Sequence, residues 1–196
     1  MARSRQLVLA STSIYRRQLL QRLALPFECT APDIDESPLA RELPHDTALR
    51  LSLAKARAVA PRFPNALVIG SDQVAVHKGD LLGKPGSHER ALAQLRRLSG
   101  DAADFHTAVS LLDAHTGEAR SQLVSCRVVF RELNDRLIES YLRLEQPYDC
   151  AGSAKSEGLG IALIERIETE DPTSLIGLPL IALTTMLEQA GLPVLG

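Results

Sequence analysis

Short, continuously apolar runs alternate along this chain with longer stretches in which apolar residues return every three or four positions. Leu7-Val-Leu-Ala10 is too brief for a helix and reads as a buried strand. Ile14, Leu19, Leu20 and Leu23 follow at helical spacing, and Phe27-Glu-Cys-Thr30 is a short extended candidate. Thr47 to Ala60 predicts a helix with Leu49, Leu53, Ala56 and Ala60 on one face and Pro61 as its stop. Ala66–Val76 predicts a strand interrupted at Gly70-Ser-Asp-Gln73, where glycine marks a bulge or a close backbone approach. Ser87–Leu98 predicts a capped amphipathic helix buried through Ala91, Leu92, Leu95 and Leu98.

The remainder continues the alternation. His77–Asp80 reads as a turn, and Phe105–Leu112 and Leu123–Phe130 as strands joined through His115–Glu118 like a hairpin. Asn134 caps a helix to Leu144, buried through Leu137, Ile138, Tyr141 and Leu142. Asp171–Ser174 is a turn, and a last helix from Pro179 buries Leu180, Leu183, Leu187 and Ala190 before Gly191. Strands alternating with helices predict an α/β fold.

Composition narrows the class. The 196 residues suit one domain, or two intimate lobes, and 45% hydrophobic content supports an ordinary core. With 22 basic against 24 acidic residues the chain lacks the basic excess of a nucleic-acid binder, yet a local basic pocket for a small anion stays open. No apolar run reaches the roughly 18 residues of a membrane span, and the first is too short for a secretory signal. Three scattered cysteines and five scattered histidines match neither a disulfide framework nor a zinc spacing, which points to a reduced cytoplasm.

Three stretches carry candidate chemistry. Strand 7–10 ends in Ser11-Thr-Ser13 with a helix opening at once behind it. That junction presents backbone N–H groups and the positive end of a helix dipole, which suits a phosphate. Arg16 and Arg17 would strengthen the site through bidentate contacts, although Ser11 or Ser13 as a mere N-cap and a solvated arginine pair read equally well. In the second stretch, Asp72 and Gln73 lie mid-strand, where polar groups are costly to bury, so Asp72 stands out as a general base or metal ligand. The acidic segment Ala31–Pro38 offers Asp35 or Glu36 to a hard cation, against the commoner fate of an exposed loop. Lys55, between Leu51 and Val59 on one helical row, either snorkels to water or delivers charge to a phosphate. Lys84 sits on a loop stiffened by Pro85. The third stretch, Cys150–Gly160, surrounds Lys155 and Glu157 with small residues, as a binding loop or a linker would.

Taken in order, Leu-Ala-Ser-Thr-Ser-x-x-Arg-Arg, Pro-Asp-Ile-Asp-Glu, Gly-Ser-Asp-Gln-Val, Gly-Lys-Pro and Ala-Gly-Ser-x-Lys-Ser-Glu-Gly-x-Gly resemble the Maf family over nearly the whole chain, with Gly-Leu-Pro-Leu near the end. The resemblance implies an α/β fold related to the inosine triphosphatase group: a mixed, elongated sheet flanked by helices, with two lobes around one central substrate cleft. It implies a nucleoside triphosphate pyrophosphatase using Mg²⁺ or Mn²⁺. Asp72 would be catalytic and, with Glu36, a metal ligand. Ser11, Ser13, Arg16, Lys55, Lys84 and Lys155 would hold the triphosphate. Gln73, where the dTTP and UTP branch has threonine, and Ser153–Gly158 resemble the branch acting on N7-methyl-GTP. Tyr15 stands where that branch often has tryptophan. Tyr15, Gln73 and Glu157 would then read the base. An aromatic face attracts the cationic methylated ring by roughly 0.5–2 kcal/mol, and a carboxylate accepts the guanine N–H pair. The rival readings are the same chemistry on dTTP and UTP, or a nucleotide sensor of cell division without turnover. The expected partner is a nucleotide, not a nucleic acid or a membrane, and a homodimer is left open.

Overall fold

The computed structural model describes residues 5–195. Seven strands form one sheet in the order β2-β1-β3-β5-β6-β7, with β4 paired to β3, and helices flank it. In chain order these are β1 (Leu7–Leu9), α1 (Ile14–Gln21), β2 (Glu28–Cys29), α2 (Pro44–Val59), β3 (Leu67–His77), β4 (Asp80–Leu82), α3 (His88–Leu98), β5 (Ala102–Asp113), β6 (Ala119–Phe130), α4 (Asp135–Glu145), β7 (Ile164–Thr169) and α5 (Leu180–Gln189). The α/β expectation holds. Among the described residues, no helix is long and apolar enough to cross a membrane.

The chain divides into two compact units. The first comprises the chain up to Gln73, Thr107–Val124 and the chain from Asp171; the second comprises Val74–His106 and Ser125–Glu170. β3, β5 and β6 each pass from one unit into the other.

In the first unit, β1 pairs in parallel with both β2 and β3, and its side chains alternate between two buried clusters. Leu7 and Leu9 pack with Leu19 and Leu20 of α1 and Leu183 and Leu187 of α5. Val8 and Ala10 pack with Ala56 and Val59 of α2. A parallel strand covered on both faces must be apolar on both, which explains the unbroken run at residues 7–10. β3 follows the same rule through Leu67 and Ile69 on one side and Val68 on the other.

Gly70 is a close approach, not a bulge. β3 runs through it without interruption, and a Cβ there would run into the Ser52 carbonyl oxygen and lie 2.9 Å from Ala56 N. α2 therefore rests directly on the β3 backbone. This also corrects the expected α2 face. The buried row is Thr47, Ala48, Leu51, Ser52, Lys55, Ala56 and Val59, while Leu49 and Leu53 are only half-buried. Close contact selects small side chains, so the leucines turn partly aside. The helix also begins earlier than expected, at Pro44, whose missing N–H costs nothing in a first turn.

In the second unit, α3 and α4 pack together, buried through Ala91, Leu95 and Leu98 and through Ile138, Tyr141 and Leu142. Leu92 is half-buried and Leu137 exposed, contrary to expectation. Ser87 and Asn134 cap these helices as read from the sequence. Lys78 and Gly79, both at positive φ, form the tight β3–β4 turn. β7 was not foreseen: only Ile164 is buried, and the strand exists through its antiparallel pairing with β6.

Candidate active site

The first unit gathers most of the expected residues. The β1–α1 junction begins with Ser11, buried, whose Oγ accepts the Ser13 N–H at 3.1 Å. Ser13 is the N-cap of α1, accepting the Arg16 N–H at 3.4 Å. Both hydroxyls accept from the backbone and each retains its O–H to donate. Tyr15 is half-buried and Arg17 exposed.

Arg16 turns inward, and its Nε donates to the Gly177 carbonyl at 2.8 Å. Burial pulls its guanidinium below the ordinary value, opposed by the charges of Asp72 and Glu36. The side chain remains a cation and lies within the field of both carboxylates.

Lys55 is the hub. Its side chain is 5% exposed, and Nζ donates to Asp72 Oδ1 and Glu36 Oε2, each at 2.7 Å. The snorkelling reading is therefore wrong: the row containing Lys55 faces β3, and the ammonium meets two carboxylates instead of water. Gly70, two residues before Asp72, is what lets α2 come this close.

Glu36 is exposed, but its loop is tethered. Glu42 accepts from Arg50 Nε at 2.6 Å, Arg50 Nη2 at 2.7 Å, Thr47 Oγ1 at 2.9 Å and Leu39 N at 2.9 Å, and Arg50 Nη2 also donates to the Ser37 carbonyl. The arginine holds the Glu42 carboxyl well below its ordinary value, at about 2. Glu42 and Arg50 escaped the sequence reading because nothing in their spacing signals that they brace Glu36.

Asp72 and Gln73 leave β3 on opposite faces, as successive strand residues must. Gln73 Nε2 lies 2.9 Å from Thr107 Oγ1 and 3.0 Å from the carbonyls of Ser174 and Leu175. Carbonyls only accept, so the amide nitrogen must face them and Oε1 is the atom left for a ligand. Thr107, which lies within the expected Phe105–Leu112 strand, is thus a partner of a candidate specificity residue.

The donor set fits a divalent cation of the magnesium type. Asp72 and Glu36 converge on the Lys55 ammonium, and their remaining oxygens are the ones a cation would use; Mg²⁺ typically takes one or two carboxylates and completes its shell with phosphate oxygens and water. Among the described residues no group of three or more His, Cys, Asp or Glu forms a dedicated metal cage.

Lys84, Lys155 and Glu157 belong to the second unit. Lys84 is exposed on the loop before α3, whose Gly86 N–H donates to the Tyr148 carbonyl. The 150–160 stretch is an ordered loop with short 3-10 turns at Ala151–Ser153 and Leu159–Leu163, not a linker. Lys155 Nζ pairs with Glu145 at 3.1 Å and its N–H donates to Tyr141 Oη at 3.0 Å, while Glu145 also accepts the Leu159 N–H at 2.7 Å. Glu157 is exposed.

A family model described as Maf-like protein matches residues 6–190. Proteins named 7-methyl-GTP pyrophosphatase resemble the chain closely. The one from Cupriavidus pinatubonensis is 60% identical over 96% of this chain and 94% of its own. That from Polaromonas is 62% identical over 96% and 86%, and that from Thiobacillus denitrificans 60% identical over 96% and 94%. A solved dITP/XTP pyrophosphatase from Mycobacterium abscessus aligns over 65% of this chain and 75% of its own at 18% identity, with a TM-score of 0.42, a partial likeness that supports no further conclusion. The family match over nearly the whole chain and the high identity to these relatives agree with the ordered motifs: this chain belongs to the Maf-like protein family.

Proposed function

We propose that the protein hydrolyses 7-methyl-GTP to 7-methyl-GMP and pyrophosphate, as the names of its relatives suggest for them. The observation that carries the reading is the buried Lys55 ammonium joined to Asp72 and Glu36, with Arg16 in their field at the α1 N-terminus. Such a cluster places fixed positive charge beside a carboxylate, which suits a triphosphate and a water to be deprotonated.

In the proposed reaction a water oxygen attacks the α-phosphorus. A new P–O bond forms, the bond from that phosphorus to the α–β bridging oxygen breaks, and pyrophosphate leaves with the electron pair. Asp72 takes the water proton, through Oδ2 because Oδ1 is engaged by Lys55. Lys55, Arg16 and the Ser11 and Ser13 hydroxyls hold phosphate oxygens and offset the charge of the leaving group. Asp72 and Glu36 would hold Mg²⁺ or Mn²⁺, which when bound neutralises triphosphate charge and acidifies water. Lys84 and Lys155 are assigned to the same triphosphate, and Tyr15, Gln73 and Glu157 to the base, on the family resemblance. A role in clearing modified nucleotides from the cytoplasm follows from the same resemblance.

The test is pyrophosphate release from 7-methyl-GTP, GTP, dTTP and UTP with Mg²⁺ or Mn²⁺. Preference for 7-methyl-GTP is expected, with Asp72→Asn losing about 10²- to 10⁴-fold in kcat. Preference for dTTP and UTP would keep the mechanism and discard the base assignments. Tight binding without release would identify a sensor instead.

A further inference from the structure

One strap in the first unit, residues 173–178, supplies carbonyl partners to four side chains around the candidate site. The Gly177 carbonyl accepts Arg16 Nε at 2.8 Å and Ser71 Oγ at 2.9 Å. The Ser174 carbonyl accepts Gln73 Nε2 at 3.0 Å and Thr107 Oγ1 at 2.9 Å, and the Leu175 carbonyl accepts Gln73 Nε2 at 3.0 Å. Ser71 and Gln73 are the immediate neighbours of Asp72 on β3. The strap therefore grips the strand from the face opposite Asp72 and holds the guanidinium of Arg16 as well.

Asp171 fixes the strap. It is 2% exposed; its Oδ1 accepts the Thr173 N–H at 3.0 Å and the Thr173 hydroxyl at 2.6 Å, and its Oδ2 accepts the Ile181 N–H at 2.7 Å. Thr173 Oγ1 in turn accepts the Leu180 N–H at 2.8 Å. The residue at the N-cap of α5, Pro179, has no side-chain hydrogen bond to offer, so Asp171 and Thr173 satisfy the first N–H groups of that helix from across the strap. Gly177, at φ +123°, completes the bend that aims its carbonyl at Arg16.

We propose that Asp171 is a positioning residue for both halves of nucleotide recognition: by pinning the strap to α5 it sets Arg16 for the phosphates and Gln73 for the base. The proposal rests on the reading of Arg16 and Gln73 given above. One carboxylate thus couples two functions that separate side chains perform.

The experiment compares Asp171→Asn with the unaltered protein in kcat and KM for 7-methyl-GTP and UTP, and in calorimetric binding of inorganic tripolyphosphate, a probe without a base. An amide cannot accept at both ends, so one N–H or O–H loses its acceptor. The expected result is a tenfold or greater fall in kcat/KM on 7-methyl-GTP, weaker tripolyphosphate binding and a smaller preference over UTP, all together. Wild-type values throughout would overturn the proposal, as would lower kcat with binding and preference unchanged, which marks general loss of folded protein. If Asp171→Asn does not fold, Thr173→Val and Thr173→Ser decide. The valine variant should show the triple effect and the serine variant, which keeps the hydroxyl, should reverse it; equal behaviour of the two would refute the strap. Absence of turnover in the unaltered protein would sink the functional reading alone, since tripolyphosphate binding still tests the positioning.

Discussion

Lys55 in the first unit and Lys155 in the second were assigned the same task from sequence, and the structure treats them differently. Lys55 is carried by a helix seated on a strand, is 5% exposed, and its ammonium meets two carboxylates. Lys155 is carried by a loop, is 27% exposed, and pairs with Glu145, whose second oxygen is engaged by the loop backbone. A buried cation with fixed partners is expensive to move and electrostatically strong; a partly exposed one is screened and contributes little by its charge. The first unit thus holds charge in place through regular elements, and the second holds a loop in place through charge.

The sharpest way to break this comparison is to remove each ammonium. Lys55→Met strands Asp72 without its partner and is expected to cost about 3–5 kcal/mol of stability along with most activity. Lys155→Met, at a partly exposed site paired with Glu145, should cost no more than about 1 kcal/mol. Urea unfolding followed by circular dichroism measures both, and equal midpoints would erase the distinction.

A smaller effect sharpens the second unit. Glu145→Gln loses the charge that holds Lys155 and weakens the acceptor for Leu159 N–H. Limited trypsin digestion should then cut after Lys155 several-fold faster, with thermal stability little changed. Unaltered cleavage would mean that the loop is held by the Tyr141 hydrogen bond and its glycines alone. Those glycines matter, because a Cβ on Gly160 would lie 2.5 Å from Lys155 N.

The smallest effect concerns the loop carrying Glu36. The Glu42 carboxyl is held at about 2 against an ordinary 4.5. A depressed carboxyl stabilises the fold above its unfolded value and loses that contribution as pH falls through its folded one. Stability from this group should therefore be complete above about pH 4.5 and vanish towards pH 2. In Glu42→Gln the acid limb of a stability–pH curve should be shallower over that window. An unchanged limb would show that Arg50 does not brace the loop in solution.

Much of the fold was legible because it depends on local chemistry. Ser13, Ser87 and Asn134 cap their helices by reaching their own first-turn N–H groups, which spacing reveals. β7 was missed because four of its six residues are exposed and its stability comes from pairing with β6. The α2 face was misjudged because periodicity favours large apolar residues, whereas contact with Gly70 demands small ones. Thr107, Glu42, Arg50 and Asp171 carry no motif-like signal in the sequence. Their partners lie in other segments or run through backbone carbonyls, which the sequence does not display.

By itself the sequence determined in which local element each candidate residue resides, Asp72 on a strand, Lys55 and Arg16 on helices and Glu36 in an acidic loop, since strand, cap and turn preferences act over a few positions. The tertiary structure alone decided that Lys55 reaches Asp72 and Glu36 and that Gln73 offers only its oxygen. It alone tied Arg16 to the 173–178 strap. Those outcomes depend on how closely α2 and the strap approach β3 from its two faces, and such distances are set by packing between segments far apart in the chain.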